Sequence, residues 1–161
     1  MGKAFIALLV ALSVYSGLVF KLSGIGGNTK AVTAMTEGAE IKGRALLLTN
    51  QIQHCASLYQ GDNATSYHPM YPAAVDKTAL TDLTCPGAPD TFQLWGHRPT
   101  GLSGFKPWSY ENDELGIRLY LEAEKDTTRT QRILRDAQLF LGEQAQVNDA
   151  ILTVWLLKEN S

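Results

Sequence analysis

The chain has 161 residues, of which 45% are apolar and 19% charged, and its formal net charge is −2. That balance excludes the basic footprint of a nucleic-acid-binding domain and the acidic, apolar-poor composition of a disordered chain. The length suffices for one domain with its own core.

Apolar residues are concentrated at the start. Ala4 to Phe20 reads AFIALLVALSVYSGLVF, 17 residues without a charge, with Lys3 before and Lys21 after. As a helix it would span roughly 25 Å, close to the hydrocarbon thickness of a bilayer, and the flanking lysines extend its reach by snorkelling. An uncleaved membrane anchor, a cleaved secretory signal and a buried core helix all fit the pattern, and the first two imply export. The two cysteines, Cys55 and Cys85, are compatible with export. An oxidising compartment permits one disulfide between them, and the alternative is a pair of free buried thiols. A bridge closing a loop of about 30 residues would add roughly 3–4 kcal/mol on the chain-entropy model.

Ser23 to Asn28 carries three glycines in four residues and reads as a kink or a short unwound stretch. It divides the chain into a membrane-inserting segment, 1–28, and a globular domain, 29–161. Helical periodicity returns from Thr29 to Tyr59. Ile41, Ala45, Leu48, Ile52, Cys55 and Tyr59 recur at three- and four-residue steps on one face, with Leu46 and Leu47 broadening the stripe. Gln60-Gly61-Asp62-Asn63 supplies the stop. Residues 61–91 form a long loop with four of the six prolines, Pro69, Pro72, Pro86 and Pro89, and contain an Asn63-Ala64-Thr65 sequon. Loops this long are usually functional or tied down, and a Cys55–Cys85 bridge would tie this one to the helix.

Strands are expected next. Thr91–Trp95 alternates weakly, and a second run starts at Trp108-Ser109-Tyr110. Glu111 to Glu114 reads as a turn. Gly116–Glu124 is the clearest strand, with Ile117, Leu119, Leu121 and Ala123 facing one way and Arg118, Tyr120, Glu122 and Glu124 facing solvent. A second helix should begin near Thr128 with a Thr128-x-x-Gln131 capping box and end near Gly142. Its apolar face is Ile133, Leu134, Ala137, Phe140 and Leu141. Ala150–Leu157 reads as a strand covered on both faces. The order, one long helix, three strands, a short helix and a last strand, describes an α+β fold with a small antiparallel sheet packed on the long helix.

Catalytic and metal chemistry find little support. His54, His68 and His97 with the two cysteines match no zinc-ligand spacing. Ser103 sits in Gly101-Leu102-Ser103-Gly104, which is not a nucleophile elbow. Asp113 and Glu114 are adjacent, and adjacent strand residues face opposite ways. Trp95, Trp108 and Trp155 read as core or interface anchors. No cofactor, metal ligand or catalytic residue is assigned, and the chain is not read as an enzyme. A ligand surface built from the Pro-rich 61–107 region with its Trp and His residues is the alternative to a purely structural role.

AFIALLVALSVYSGLVF, TEGAEIKGRALLLTNQIQHCASLY, the YPAAV and LTCPG loop segments and GFKPWSYENDELGIRLYLEAE together resemble the type IV pilin and pseudopilin superfamily over nearly the whole chain. The resemblance implies a hydrophobic helix continuing into an amphipathic half under an antiparallel sheet, with one disulfide. It implies partners that are other copies or pilin-like subunits meeting through the N-terminal helix, and an inner-membrane location with the globular domain periplasmic, or an extracellular filament. The likeness stops at the N-terminal processing signal. Those proteins have a Gly before the cleaved bond and a Glu at the fifth mature position, whereas here Gly2 is followed five places on by Ala7 and no Glu precedes Glu37.

Overall fold

The computed structural model describes residues 29–59, 67–74, 76–95, 99 and 101–159, with side chains from Val32 onward. The apolar run Ala4–Phe20, the Gly-rich stretch and the Asn63 sequon lie outside the described residues. Among the described residues no helix is long and apolar enough to cross a membrane. The chain divides into two units, Met1–Thr33 and Ala34–Ser161, and the second contains the whole sheet.

Helix α1 runs Thr29–Tyr59. From Ala34 onward it buries Ala34, Ile41, Ala45, Leu48, Ile52, Cys55 and Ala56, the three- and four-residue spacing that one helical face requires. Leu46 and Leu47 do not broaden that stripe. They lie beyond its edge and are 41% and 68% exposed. Strands β1 (Thr78–Ala79), β2 (Ser109–Asp113), β3 (Gly116–Glu122), β4 (Ala145–Asn148) and β5 (Ile151–Lys158) form one antiparallel sheet in the order β1-β2-β3-β5-β4. Ile117, Leu119, Leu121, Leu152 and Val154 from its inner face join the α1 stripe in one core. Each such side chain contributes roughly 1.5–3 kcal/mol by leaving water. Helix α2 (Thr128–Leu141) adds Ile133, Leu134 and Ala137. It passes so close to α1 that a Cβ on Gly38 would lie 3.0 Å from Ala137 N and from Asp136 Cβ.

The α+β class holds, but several boundaries move. Thr91–Trp95 is a turn and loop rather than a strand. Its polar groups are used elsewhere: Phe92 N–H donates to the Pro89 carbonyl and the Leu94 carbonyl accepts from the Gln51 carboxamide. The first strand is instead the two-residue β1, inside the stretch expected to be loop. Glu111 to Asp113 belongs to β2, so the β2–β3 turn shrinks to Glu114 and Leu115. Asp113 caps that turn by accepting from Leu115 N–H at 3.0 Å. Gly116 closes it at φ +125°, where any Cβ would strike the Leu157 carbonyl. The capping box of α2 sits one residue early. Thr127 accepts from Thr130 N–H and its own N–H donates to the Thr130 hydroxyl, while Gln131 donates to Asp126. Finally, the short helix precedes two strands, not one. The polar AQVN segment forms edge strand β4, turning into β5 at Asp149 (φ +52°), a residue type that tolerates the left-handed region. Strand β5 is therefore buried chiefly on one side, through Leu152 and Val154.

Candidate functional site

Among the described residues, several contacts order the long segment between α1 and β2. The Cys55–Cys85 disulfide joins it to the buried face of α1, with 5.8 Å between the Cα atoms. Buried Asn112 on β2 clasps the earlier part of the segment. Its carboxamide donates to the His68 and Pro72 carbonyls at 3.2 and 3.1 Å and accepts from His68 N–H, and its backbone N–H donates to Ala74. The neighbouring inward residue, Tyr110, donates its hydroxyl to the same Pro72 carbonyl. Burial, first, holds that phenol's pKa far above the ordinary tyrosine value. Further along, the Trp95 indole N–H donates to the Leu80 carbonyl at 2.5 Å, and Phe92 meets the Tyr59 ring edge-on at 4.7 Å between centroids.

These attachments leave a partly open cleft of about 360 Å³ beside the disulfide. Leu83, Leu94, Phe92 and Trp95 make its apolar walls, Cys85 contributes to its lining, and Thr81, Thr84 and Gln93 supply polar atoms. None of these residues carries a formal charge. A smaller cleft of about 240 Å³ lies where Gly101–Ser103 and Phe105 meet Glu37, Glu40, Ile41 and Arg44 on α1. Its charges are engaged in pairs, Glu37 with Arg129 and Glu40 with Arg44, each at 2.6 Å.

The residues singled out from the sequence are scattered. His54 is exposed on α1, His68 is half-buried in the clasped loop, and His97 lies outside the described residues. Among the described residues no group of three or more His, Cys, Asp or Glu side chains is placed to hold a metal ion. Ser103 is exposed. Asp113 and Glu114 part company, the first bonded to Arg118 and the second in solvent at the turn. Trp108 is a core residue, Trp95 walls the larger cleft, and Trp155 lies half-buried on the sheet's outer face.

That outer face is the largest departure from the expected pattern. Arg118 and Tyr120 were expected in solvent, and each is only 8% exposed. Arg118 bonds Glu111 at 2.8 Å and also Asp113, both on the adjacent strand β2. Tyr120 donates its hydroxyl to Glu111. The Arg118 guanidinium stands 5.1 Å from the Trp155 ring centroid, Lys158 covers the same ring at 5.6 Å, and Lys77 lies 4.2 Å from the Tyr120 ring. Burial, followed by the bond to Glu111, raises the Tyr120 pKa well above the tyrosine norm. The cluster is internally paired, two carboxylates to one guanidinium, so it covers the sheet rather than offering a vacant ion site. Alternation alone could not reveal it, because Arg and Glu in a strand ordinarily mark the solvent side.

No protein-family model matches the chain, and neither a curated protein nor a solved structure matches it.

Proposed function

We propose that the chain is a structural or accessory subunit of a type IV pilus-like filament or secretion pseudopilus, anchored in a bacterial inner membrane before assembly. The observation that carries this reading is the division of labour on α1. One face of its Ala34–Tyr59 portion is consumed by the core, while Leu46, Leu47 and Leu58 remain 41%, 68% and 54% exposed on the other sides. Gly43 lies among them, and apart from the local helix backbone no described residue comes within 4 Å of where its Cβ would stand. A solvated helix gains nothing from a glycine, which costs about 1 kcal/mol relative to alanine, whereas a packed neighbour could approach closely there. Earlier in the sequence, the uncharged Ala4–Phe20 run is long and apolar enough to suit membrane insertion. Membrane fractionation of the native cell, followed by electron microscopy of sheared surface fibres, tests this. The protein should be found in the membrane and in fibres, and release as a soluble monomer after ordinary signal cleavage would overturn the reading.

The cleft beside the disulfide favours a second reading, a membrane-tethered periplasmic binding module whose ligand surface lies within 61–107. A saturable rise in melting temperature with a small ligand is the expected mark of that role.

A further inference from the structure

We propose that the cleft beside the Cys55–Cys85 bridge binds a neutral carbohydrate ring. The inference rests on the reading of the 61–107 region as a ligand surface and is independent of whether the chain assembles into filaments.

Three features lead to it. First, the walls are built in advance. Cys85 is fixed by its bridge to α1, Trp95 by its bond to the Leu80 carbonyl, Leu94 by the Gln51 carboxamide, and Phe92 by the Tyr59 ring and the Pro89 carbonyl. A site whose walls are already ordered loses little entropy when it is filled. Second, the described residues of the lining are free of formal charge. A charged ligand would give up water there and gain no counter-charge. Third, the lining is two-sided. Phe92 and Trp95, both half-buried, present apolar ring surface, while exposed Thr84 and Gln93 bring a hydroxyl and a carboxamide to the same cleft. Both of those groups donate and accept hydrogen bonds. A pyranose has the matching two-sided chemistry, with C–H bonds on a face and hydroxyls around the rim that each need a donor and an acceptor. Thr81 contributes in one sense only, because its hydroxyl already donates to Asp82 at 3.0 Å.

Size selects in the same direction. At about 360 Å³ the cleft is near the lower end of the roughly 300–1,000 Å³ typical of small-molecule sites, which suits one or two rings. The other tryptophans offer no equivalent: Trp108 is in the core, and Trp155 is flanked by Arg118 and Lys158.

The test is a titration of the full oxidised chain followed through its three tryptophan indole N–H resonances. The probes are the methyl glycosides of glucose, galactose, mannose and N-acetylglucosamine, with glucuronate and a neutral tri-alanine peptide as comparators. The proposal predicts that at least one neutral sugar shifts the Trp95 signal saturably and leaves those of Trp108 and Trp155 in place, with glucuronate binding more weakly. Gln93→Ala and Thr84→Val alter exposed side chains and should leave the fold intact, and each should weaken binding about 3- to 10-fold, the equivalent of one hydrogen bond. Sugar binding unchanged in both variants would overturn the proposal. Saturable binding of the peptide instead, lost in the variants, would overturn the sugar assignment while keeping the ligand surface. No saturable shift with any probe would overturn both.

Discussion

The two faces of the sheet are covered by different physics. On the inner face Ile117, Leu119, Leu121, Leu152 and Val154 pack against the α1 stripe and α2, and removal of apolar surface from water is the main driving force. On the outer face Arg118, Glu111, Asp113, Tyr120 and Trp155 cover one another with ion pairs, a shared hydrogen bond and ring–cation contacts. Inner-face side chains are interchangeable in kind provided they are apolar and of the right volume. Those of the outer face are not, since each has a specific partner. Among the described residues, the sheet's second side is thus covered by its own side chains rather than by a second layer of helices, and depends on a few specific pairings.

The inner face should be the less forgiving of charge. Ile52, on the α1 stripe that shares the core with the inner face, is fully buried, so Ile52→Asp places a carboxylate in the core and should abolish cooperative unfolding of the Ala34–Ser161 unit, as followed by circular dichroism. A variant that melts normally would place that face in solvent and erase the contrast. On the outer face, Arg118→Ala leaves Glu111 and Asp113 close together without their cation and should cost about 3 kcal/mol in denaturant unfolding. Adding Glu111→Gln to that variant should recover part of the loss, whereas strictly additive effects would mean that the pairs are not coupled.

The tyrosines sharpen the comparison through pH. Unfolded, both phenols ionise near pH 10. In the fold, burial keeps Tyr110 and Tyr120 protonated to higher pH. The folded state therefore holds more protons above about pH 10, and stability present in full below that pH should fall as pH rises past it. Melting temperature measured from pH 8 to 11 should decline at the alkaline end, and less steeply in Tyr120→Phe. An unchanged slope would remove Tyr120 from the account. The smallest effect concerns α1 alone. Gly43→Ala should stabilise the isolated protein by about 1 kcal/mol, because a Cβ there meets open space. Destabilisation would mean that the position is already packed within the monomer.

The sequence made α1 and the inner face legible because helical and alternating periodicity report burial against an apolar partner, as at Ile41, Ala45, Leu48 and Ile52. Periodicity also puts Cys55 on that same stripe, but its pairing with Cys85 is suggested only by the even cysteine count and the export-like start. What escaped notice was polar. Asn112 looked like a turn residue, yet it is a buried peg for the 68–74 loop. Arg118 and Tyr120 looked solvated because their partners, Glu111 and Asp113, were assigned to a turn rather than to the adjacent strand. β4 was missed because AQVN, an edge segment, has no apolar pattern strong enough to separate it from loop. The cleft depends on Thr84, Phe92 and Trp95 being brought together by attachments distant in sequence, and no local motif encodes that.

The proposed role as an assembly subunit rests on the outer face of α1, and a photo-cross-linking residue in place of Leu47, activated in native membranes, tests it most directly. The account predicts an adduct to a second copy or to a pilin-like partner at position 47, and none from the same residue placed at Gln146 on the sheet edge. Monomer alone at position 47, in protein shown to be folded and membrane-bound, would contradict it.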